Sequence, residues 1–448
     1  MRQKCLILRG SPTVLVFVLF VFVLSLGSLP AKAQPAETQP AAAPALTWTQ
    51  AMEEDDWPAA QTLLEAAIIE AETEDELVPL YHNLATVYRV LGDLEAAETV
   101  LEALLKIEES PETIEELGAV KTALGDWSAA EDLLGQALAL REAREGPSEA
   151  SIELLQNLAR VLVAEEKFAE AEADAQAAID LRTELFGADI PNLEPDLAAD
   201  LAGDYAVLAR VLQAQKKWME AAEEWETVIR IQAEAFGNQD LRLAATLDNL
   251  ATCREELHEV DQAEAALRRA LAIRESESGR NSASVAATAD SLGSLLFDAE
   301  RFDDAEPMFR RSLNIYLDLL GSDNAMIARN YDNLAVTLAK LERYEEAETM
   351  YRAALKLRDV ADVESLRNLA LVLQTTNQEE ESADLYRRAL AVIEAYPYQR
   401  PKLQQSILSE YLRLLRELGR TREASRIEQE HLPRAPSSKG GGAGSRSK

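Results

Sequence analysis

Residues 331–355 read YDNLAVTLAKLERYEEAETMYRAAL, and this stretch decides the fold. Each half carries an apolar or small residue every three or four positions, which predicts two amphipathic helices. The first stripe is Tyr331, Leu334, Ala335, Leu338 and Leu341. The second stripe is Ala347, Met350, Tyr351, Ala354 and Leu355. The polar pair Glu342-Arg343 between them predicts a tight turn, so the two helices are expected to lie antiparallel.

The same pattern recurs along most of the chain. Asn-Leu-Ala begins five copies, at Asn83, Asn157, Asn249, Asn333 and Asn368. A second small residue follows twelve positions after the first small one, as Ala347 follows Ala335. Small residues are needed where two helix axes approach closely. We therefore predict an all-α array over residues 46–432, with nine helix pairs and a partial pair around Trp57 and Ala60.

This spacing of small and aromatic residues resembles the tetratricopeptide repeat. Ala251, Gly293 and Ala335 recur at 42-residue steps, which are longer than the commonest 34-residue repeat. The length, the Asn-Leu-Ala start and the Phe-Gly or Leu-Gly endings are similar to the repeats of kinesin light chains. The resemblance implies a right-handed α-solenoid of stacked antiparallel helix pairs. The longer step from Ala159 to Ala209 predicts an inserted loop at Ile190-Pro191 and Glu194-Pro195.

The two ends of the chain differ from the array in composition. Residues 1–33 combine Arg2, Lys4 and Arg9 with an apolar run and an Ala-Lys-Ala site, which predicts a cleaved signal peptide. The alternative is an uncleaved signal anchor. Residues 34–45 are rich in proline and alanine and are interpreted as a tether. Residues 433–448 are basic and rich in glycine and serine, which predicts a disordered tail.

Composition disfavours several classes of ligand and of activity. The net charge of −34 disfavours nucleic acids and anionic lipids, so a basic peptide or cationic protein is a better electrostatic match. Only His82, His258 and His431 supply imidazoles, and no metal, nucleotide or hydrolase motif occurs. Cys253 is interpreted as a small core residue. We therefore predict no catalytic activity, no cofactor and no metal.

Candidate binding residues follow from the resemblance, which implies that the first helix of each pair lines a groove. The residue before Leu-Ala is then expected to face a ligand, and an amide there can bond a peptide backbone. This position holds Asn83, Asn157, Asn249, Ser291, Asn333 and Asn368. The alternative interpretation is that these asparagines bond neighbouring helices.

Charged residues flank these amides. Asp248, Asp290 and Asp332 precede three of the positions at 42-residue steps and predict a negative stripe, with Glu255, Glu256 and Asp298 on or near the same face. Arg160 and Arg210 hold inward positions in earlier repeats, so the groove is expected to run from basic to acidic.

The sequence thus predicts an exported scaffold, periplasmic or secreted, that binds a peptide or protein partner in its groove. The alternatives are a structural or self-associating component, or a non-catalytic accessory subunit, of a cell-envelope complex.

Overall fold

The computed structural model describes residues 47–187, 193–358, 362–395 and 401–431. The predicted signal peptide, tether and basic tail lie outside these residues, and so does Ile190-Pro191. The described residues form twenty α-helices. They are α1 Trp48–Glu53, α2 Trp57–Glu70, α3 Glu74–Leu91, α4 Leu94–Leu104, α5 Pro111–Leu124, α6 Trp127–Glu145, α7 Glu149–Ala164, α8 Phe168–Phe186, α9 Pro195–Ala214, α10 Trp218–Phe236, α11 Leu241–Glu256, α12 Val260–Glu277, α13 Ala283–Asp298, α14 Phe302–Leu320, α15 Ala328–Lys340, α16 Tyr344–Lys356, α17 Val363–Thr375, α18 Glu379–Ala395, α19 Pro401–Glu417 and α20 Thr421–His431.

Odd-numbered helices begin each pair and even-numbered helices complete it, as the sequence predicts. A tight turn joins the two helices of a pair and places one residue in the left-handed region. Glycine holds this position at Gly92, Gly125 and Gly419, but most turns use another residue, as at Glu300 and Glu342 (φ 59° and 60°). The hydrogen bond from Arg343 N to Leu338 O (2.9 Å) closes the turn that follows α15.

The small residues lie where the sequence places them, between the two helices of a pair. Ala335 and Ala347 are both fully buried. A Cβ atom added to Gly293 would lie 2.9 Å from the Phe309 ring, and one added to Gly118 would lie 2.9 Å from Leu134. Contacts this short would force the helices apart, so the small side chains set the distance between them.

The chain divides into two compact units, one ending at Gly187 and the next beginning at Ala188. In the second unit one continuous buried cluster runs from Leu243 to Ile427. Salt bridges between successive second helices add to this packing, as between Arg343 and Glu306 (2.7 Å).

The division falls within the long step between Ala159 and Ala209. Part of the additional length is helical, because α9 begins at Pro195, fourteen residues before Ala209, whereas α11 begins ten residues before Ala251. The predicted loop is therefore wrong at Pro195, which is the first residue of α9, with Glu194 before it as the N-cap residue. Proline is favoured there because the first helical N–H needs no partner within the helix.

None of the described helices combines the length and the apolar character needed to span a membrane.

Candidate functional site

A cavity of about 560 Å³ opens in the second unit between the first helices of neighbouring pairs. Helices α11 and α13 supply most of its wall, and Arg274 of α12 and Arg329 of α15 complete one end. Three of the predicted charged positions, Asp248, Asp290 and Glu255, line it together with Ser291. We call this space the groove cavity.

Hydroxyl groups line the groove cavity, and most of their protons are directed into the protein. Ser291 Oγ donates to Ala287 O (3.2 Å), Ser294 Oγ to Asp290 O (3.0 Å) and Thr252 Oγ1 to Asp248 O (3.1 Å). Each hydroxyl therefore retains oxygen lone pairs for a ligand but has already used its proton. The wall accepts hydrogen bonds more readily than it donates them.

Beside the middle of α11 and α13, the acidic groups that line the cavity have partners. Arg274 Nη1 donates to Asp248 Oδ1 (3.0 Å) and also to Thr288 Oγ1 of the next pair. Arg274 thus joins two successive first helices and neutralises Asp248. Asp248 remains 37% exposed at its side chain, so a ligand can still reach it.

Asp290 is the most enclosed of the three predicted aspartates, with only 7% of its surface exposed. Its Oδ1 accepts from Asn330 Nδ2 (3.2 Å) and Asn333 Nδ2 (3.1 Å), and its Oδ2 accepts from Arg329 Nη2 (3.2 Å). All three donors belong to α15. Asp290 therefore ties α13 to the next first helix, and it holds the exposed Arg329 guanidinium at the cavity rim.

Asp332 lies beyond the groove cavity and is bonded in the same manner as Asp248. Arg358 Nη2 lies 2.6 Å from its Oδ2, and Ser365 Oγ of α17 donates to its Oδ1 (2.9 Å). Burial raises the pKa of the Asp332 carboxyl, and the Arg358 charge only partly offsets this effect. The three aspartates lie on successive first helices as predicted, but each has a guanidinium partner within the protein. Binding of a cationic ligand by this stripe stays a prediction.

The predicted asparagines separate into two groups. Asn83 and Asn249 donate to the carbonyls of their own helices, Pro79 O (2.7 Å) and Ala245 O (3.1 Å), and so keep an amide oxygen for another partner. Asn333 is bonded to Asp290, and Asn368 lies near Tyr351, whose pKa it lowers against the larger, raising effect of burial. For Asn333 the structure supports the alternative interpretation, in which the amide joins neighbouring helices.

Three further predicted residues are not among those that line the groove cavity. In the first unit Asn157 is half-buried and Arg160 is exposed, both on α7. In the second unit Arg210 is exposed on α9, and its guanidinium lies over the Trp225 ring, 5.8 Å from the centroid. The predicted change from basic to acidic along the groove stays a prediction.

The arginines that form ion pairs with these aspartates were not predicted from the sequence. Arg274 follows Asp248 at the same spacing as Arg358 follows Asp332, and Tyr316 takes the equivalent place after Asp290. This repeating position lies near the end of each second helix, so the 42-residue period could have revealed it. The recurrence of an arginine–aspartate pair at one spacing indicates a contact between the helices of a pair.

Where α11 and α13 end, the acidic groups have no such partners. Glu255 lines the groove cavity there, and Glu256 and Asp298 lie close enough to raise the pKa of its carboxyl, together with partial burial. Among the described residues, no arginine, lysine or histidine forms an ion pair with any of these three carboxylates. The two ends of the cavity therefore differ in electrostatic potential.

Family models of the tetratricopeptide repeat match residues 78–111, 109–184, 202–276, 284–359 and 333–400. No curated protein matches the chain.

Among solved structures, BtubC (BKLC) from P. vanneervenii is 26% identical, covers 53% of this chain and 91% of its own, and has a TM-score of 0.45. A putative kinesin light chain with nearly identical TPR-like repeats from Podosopora anserina is 20% identical over 44% of this chain and 96% of its own, with a TM-score of 0.39. The apo form of RapI is 14% identical over 86% and 97%, with a TM-score of 0.49.

Proposed function

We propose a binding function without catalysis for this chain, which belongs to the tetratricopeptide repeat family. The ligand is a peptide or a protein segment held in the groove cavity. The observation that carries this proposal is the cavity itself, whose polar wall lies between first helices and presents unused acceptor oxygens. Backbone N–H groups of an extended segment would supply the complementary donors.

The proposed location is outside the cytoplasm. The support is in the sequence, where a basic start, an apolar run and an Ala-Lys-Ala site occupy residues 1–33. In this proposal the mature protein begins near Gln34 and acts in the periplasm or in the secreted fraction. N-terminal sequencing of the native protein tests it, and an intact residue 1 in a membrane pellet would contradict it.

A bulky side chain in the cavity provides the test of groove binding. Ser291→Trp would fill the space between α11 and α13 without entering the core, because Ser291 is exposed. The matched control is Asn314→Trp, which places the same exposed side chain on α14, the second helix of its pair. The tagged mature chain is used to capture partners from an extract of the native cell envelope.

We expect the wild type and Asn314→Trp to recover one dominant partner that Ser291→Trp loses, with equal thermal unfolding midpoints for all three. Loss from both variants would indicate damage unrelated to the cavity. If Ser291→Trp retained the partner, binding would lie elsewhere, and a structural role in an envelope complex would replace the groove function.

A further inference from the structure

We infer that the groove cavity recognises a primary carboxamide, the side-chain group of an asparagine or glutamine in the bound segment. This inference rests on the proposed groove function and specifies the chemistry of the partner. The ligand amide would bond to Asp248, at the position where this repeat has Ser291 and most other repeats have an asparagine.

Polar side chains that line the groove join one first helix to the next at a fixed register. Asp290 of α13 accepts a hydrogen bond from Asn333 of α15 (3.1 Å), which lies 43 residues later. Arg367 of α17 donates to Glu410 of α19 (2.9 Å), again 43 residues later. At this register a long polar side chain of the later helix reaches the earlier helix and closes the space between them.

This contact is missing between α11 and α13. The residue 43 positions after Asp248 is Ser291, whose short side chain donates to Ala287 O of its own helix (3.2 Å). Asp248 and Ser291 both line the groove cavity, so the cavity opens at the place where the repeating contact is absent.

The hydrogen bonds of the two aspartates show which group is missing. Asp290 accepts three hydrogen bonds from side chains, and the Asn333 amide supplies one of them. Among the described residues, Asp248 accepts only from the two Nη atoms of Arg274. A carboxylate has lone pairs for about four donors, so Asp248 can accept the amide N–H that its own repeat does not provide.

The floor of the groove cavity is formed by a shorter side chain than in neighbouring pairs. Leu267 of α12 lines the cavity. The equivalent residues of the other second helices from α10 to α18 are all aromatic and buried: Trp225, Phe309, Tyr351 and Tyr386. A leucine side chain is shorter than any of these rings, which leaves room beneath Ser291 for a ligand side chain.

The groups around this opening match both parts of a carboxamide. The NH₂ group has two donors, and the oxygens of Asp248, Ser291 and Ser294 can accept them. In the described part of the chain Arg329 is bonded only to Asp290, through Nη2, so its other N–H groups can donate to the amide oxygen. An ammonium has no acceptor for Arg329, and a carboxylate has no donor for Asp248. A backbone amide has one N–H instead of two.

The test compares three forms of one peptide that carries a neutral dye. The probe is acetyl-Ala-Asn-Ala-Gln-Ala-N-methylamide, whose end group is not a primary carboxamide. The apolar twin has leucine and methionine in place of asparagine and glutamine, and the acidic twin has aspartate and glutamate. Binding to the full mature chain is measured by fluorescence anisotropy.

The variant Ser291→Asn supplies the missing amide from the protein itself. Its matched control, Ser425→Asn, makes the same change at an exposed position of α20, the second helix of its pair. In wild type and in the control we expect the probe to bind about tenfold more tightly than either twin. In Ser291→Asn this preference should fall below about twofold, because the new side chain occupies the ligand's place.

Unfolding of the variants checks the register without a ligand. Ser291→Asn should raise the thermal unfolding midpoint, since its amide would bond to Asp248 as Asn333 bonds to Asp290. This gain should be absent when the same change is made in Asp248→Ala. A gain of equal size in both backgrounds would show that the amide does not reach Asp248, and the inference would be wrong.

Equal binding of the probe and the apolar twin to wild type would contradict carboxamide recognition, and so would the absence of measurable probe binding. A preference that persists in Ser291→Asn would have the same meaning. The Ser291→Trp experiment decides the groove function separately. If that variant releases the envelope partner while wild type binds the probe and the apolar twin equally, groove binding stands and carboxamide recognition fails.

Discussion

Helices α11 and α13 carry similar acidic residues in opposite surroundings, in the middle of each helix and at its C-terminal end. In the middle, Asp248 and Asp290 are bonded to arginines and help to join successive repeats. Where they end, Glu255 and Asp298 have no ion pair among the described residues, and Glu255 borders an open cavity. A carboxylate on a groove-lining helix is therefore part of the packing where another helix supplies an arginine partner. Where no other helix supplies one, the carboxylate is available to a ligand.

The three aspartates at the 42-residue steps also differ from one another. Asp248 and Asp332 each form an ion pair with an arginine at the same separation along the chain, and each arginine belongs to the same repeat as its aspartate. After Asp290 this position is Tyr316, so the carboxylate turns to three donors of α15 instead. One substitution in the repeat thus moves the main contact from within a pair to the boundary between pairs.

The largest effect is expected from removing the Asp290 carboxylate. Asp290→Ala would leave the buried Asn330 amide with only its bond to Ser312 Oγ, and would release Arg329. Loss of a buried charged acceptor with three donors should lower the free energy of unfolding by about 2–4 kcal/mol. Urea unfolding measures it. Asp290→Asn keeps one acceptor oxygen and should lose less, and equal losses would contradict the hydrogen-bond explanation.

A smaller and graded effect is expected at the two arginine-paired aspartates. Asp332→Asn should cost about 1 kcal/mol, because it removes the charge facing Arg358 while burial already opposes the ionised form. Asp248→Asn should cost about 0.5 kcal/mol or less, since its carboxylate is more exposed. Thermal unfolding of both variants at low and high salt gives the comparison. We expect the loss of stability to decrease in the order Asp290, Asp332, Asp248. A reversed order would show that the exposure of the carboxylate does not control the size of this loss.

The smallest effect, of opposite sign, is expected at Glu255. Its pKa is raised in the folded protein by burial and by Asp298, so its charged form is less favourable when folded than when unfolded. This cost is present above the folded pKa and disappears as the pH falls through it. Glu255→Gln should therefore raise the unfolding midpoint slightly at neutral pH. The difference from wild type should vanish in the acidic range, and a destabilised variant at neutral pH would show that Glu255 has a stabilising partner.

Much of the fold could be predicted from single residues at regular spacing. The small residues of the two helices on either side of each turn, such as Ala335 and Ala347, are buried between helices as expected, because helix packing there depends mainly on side-chain size. The candidate site was less predictable. Asn333 was recognised as a groove position, but its amide is bonded to Asp290 of the preceding repeat, which no local pattern indicates.

The sequence by itself determined the helical state, the pairing of consecutive helices and the positions of the close contacts, since apolar periodicity and residue size act within a helix and between chain neighbours. The tertiary structure decided which polar groups remain available. Arg274 joins Asp248 to Thr288 only because the stacking of pairs brings one second helix against two first helices. Charge compensation depends on distances of a few ångströms between helices, and those distances are set by packing, not by sequence position.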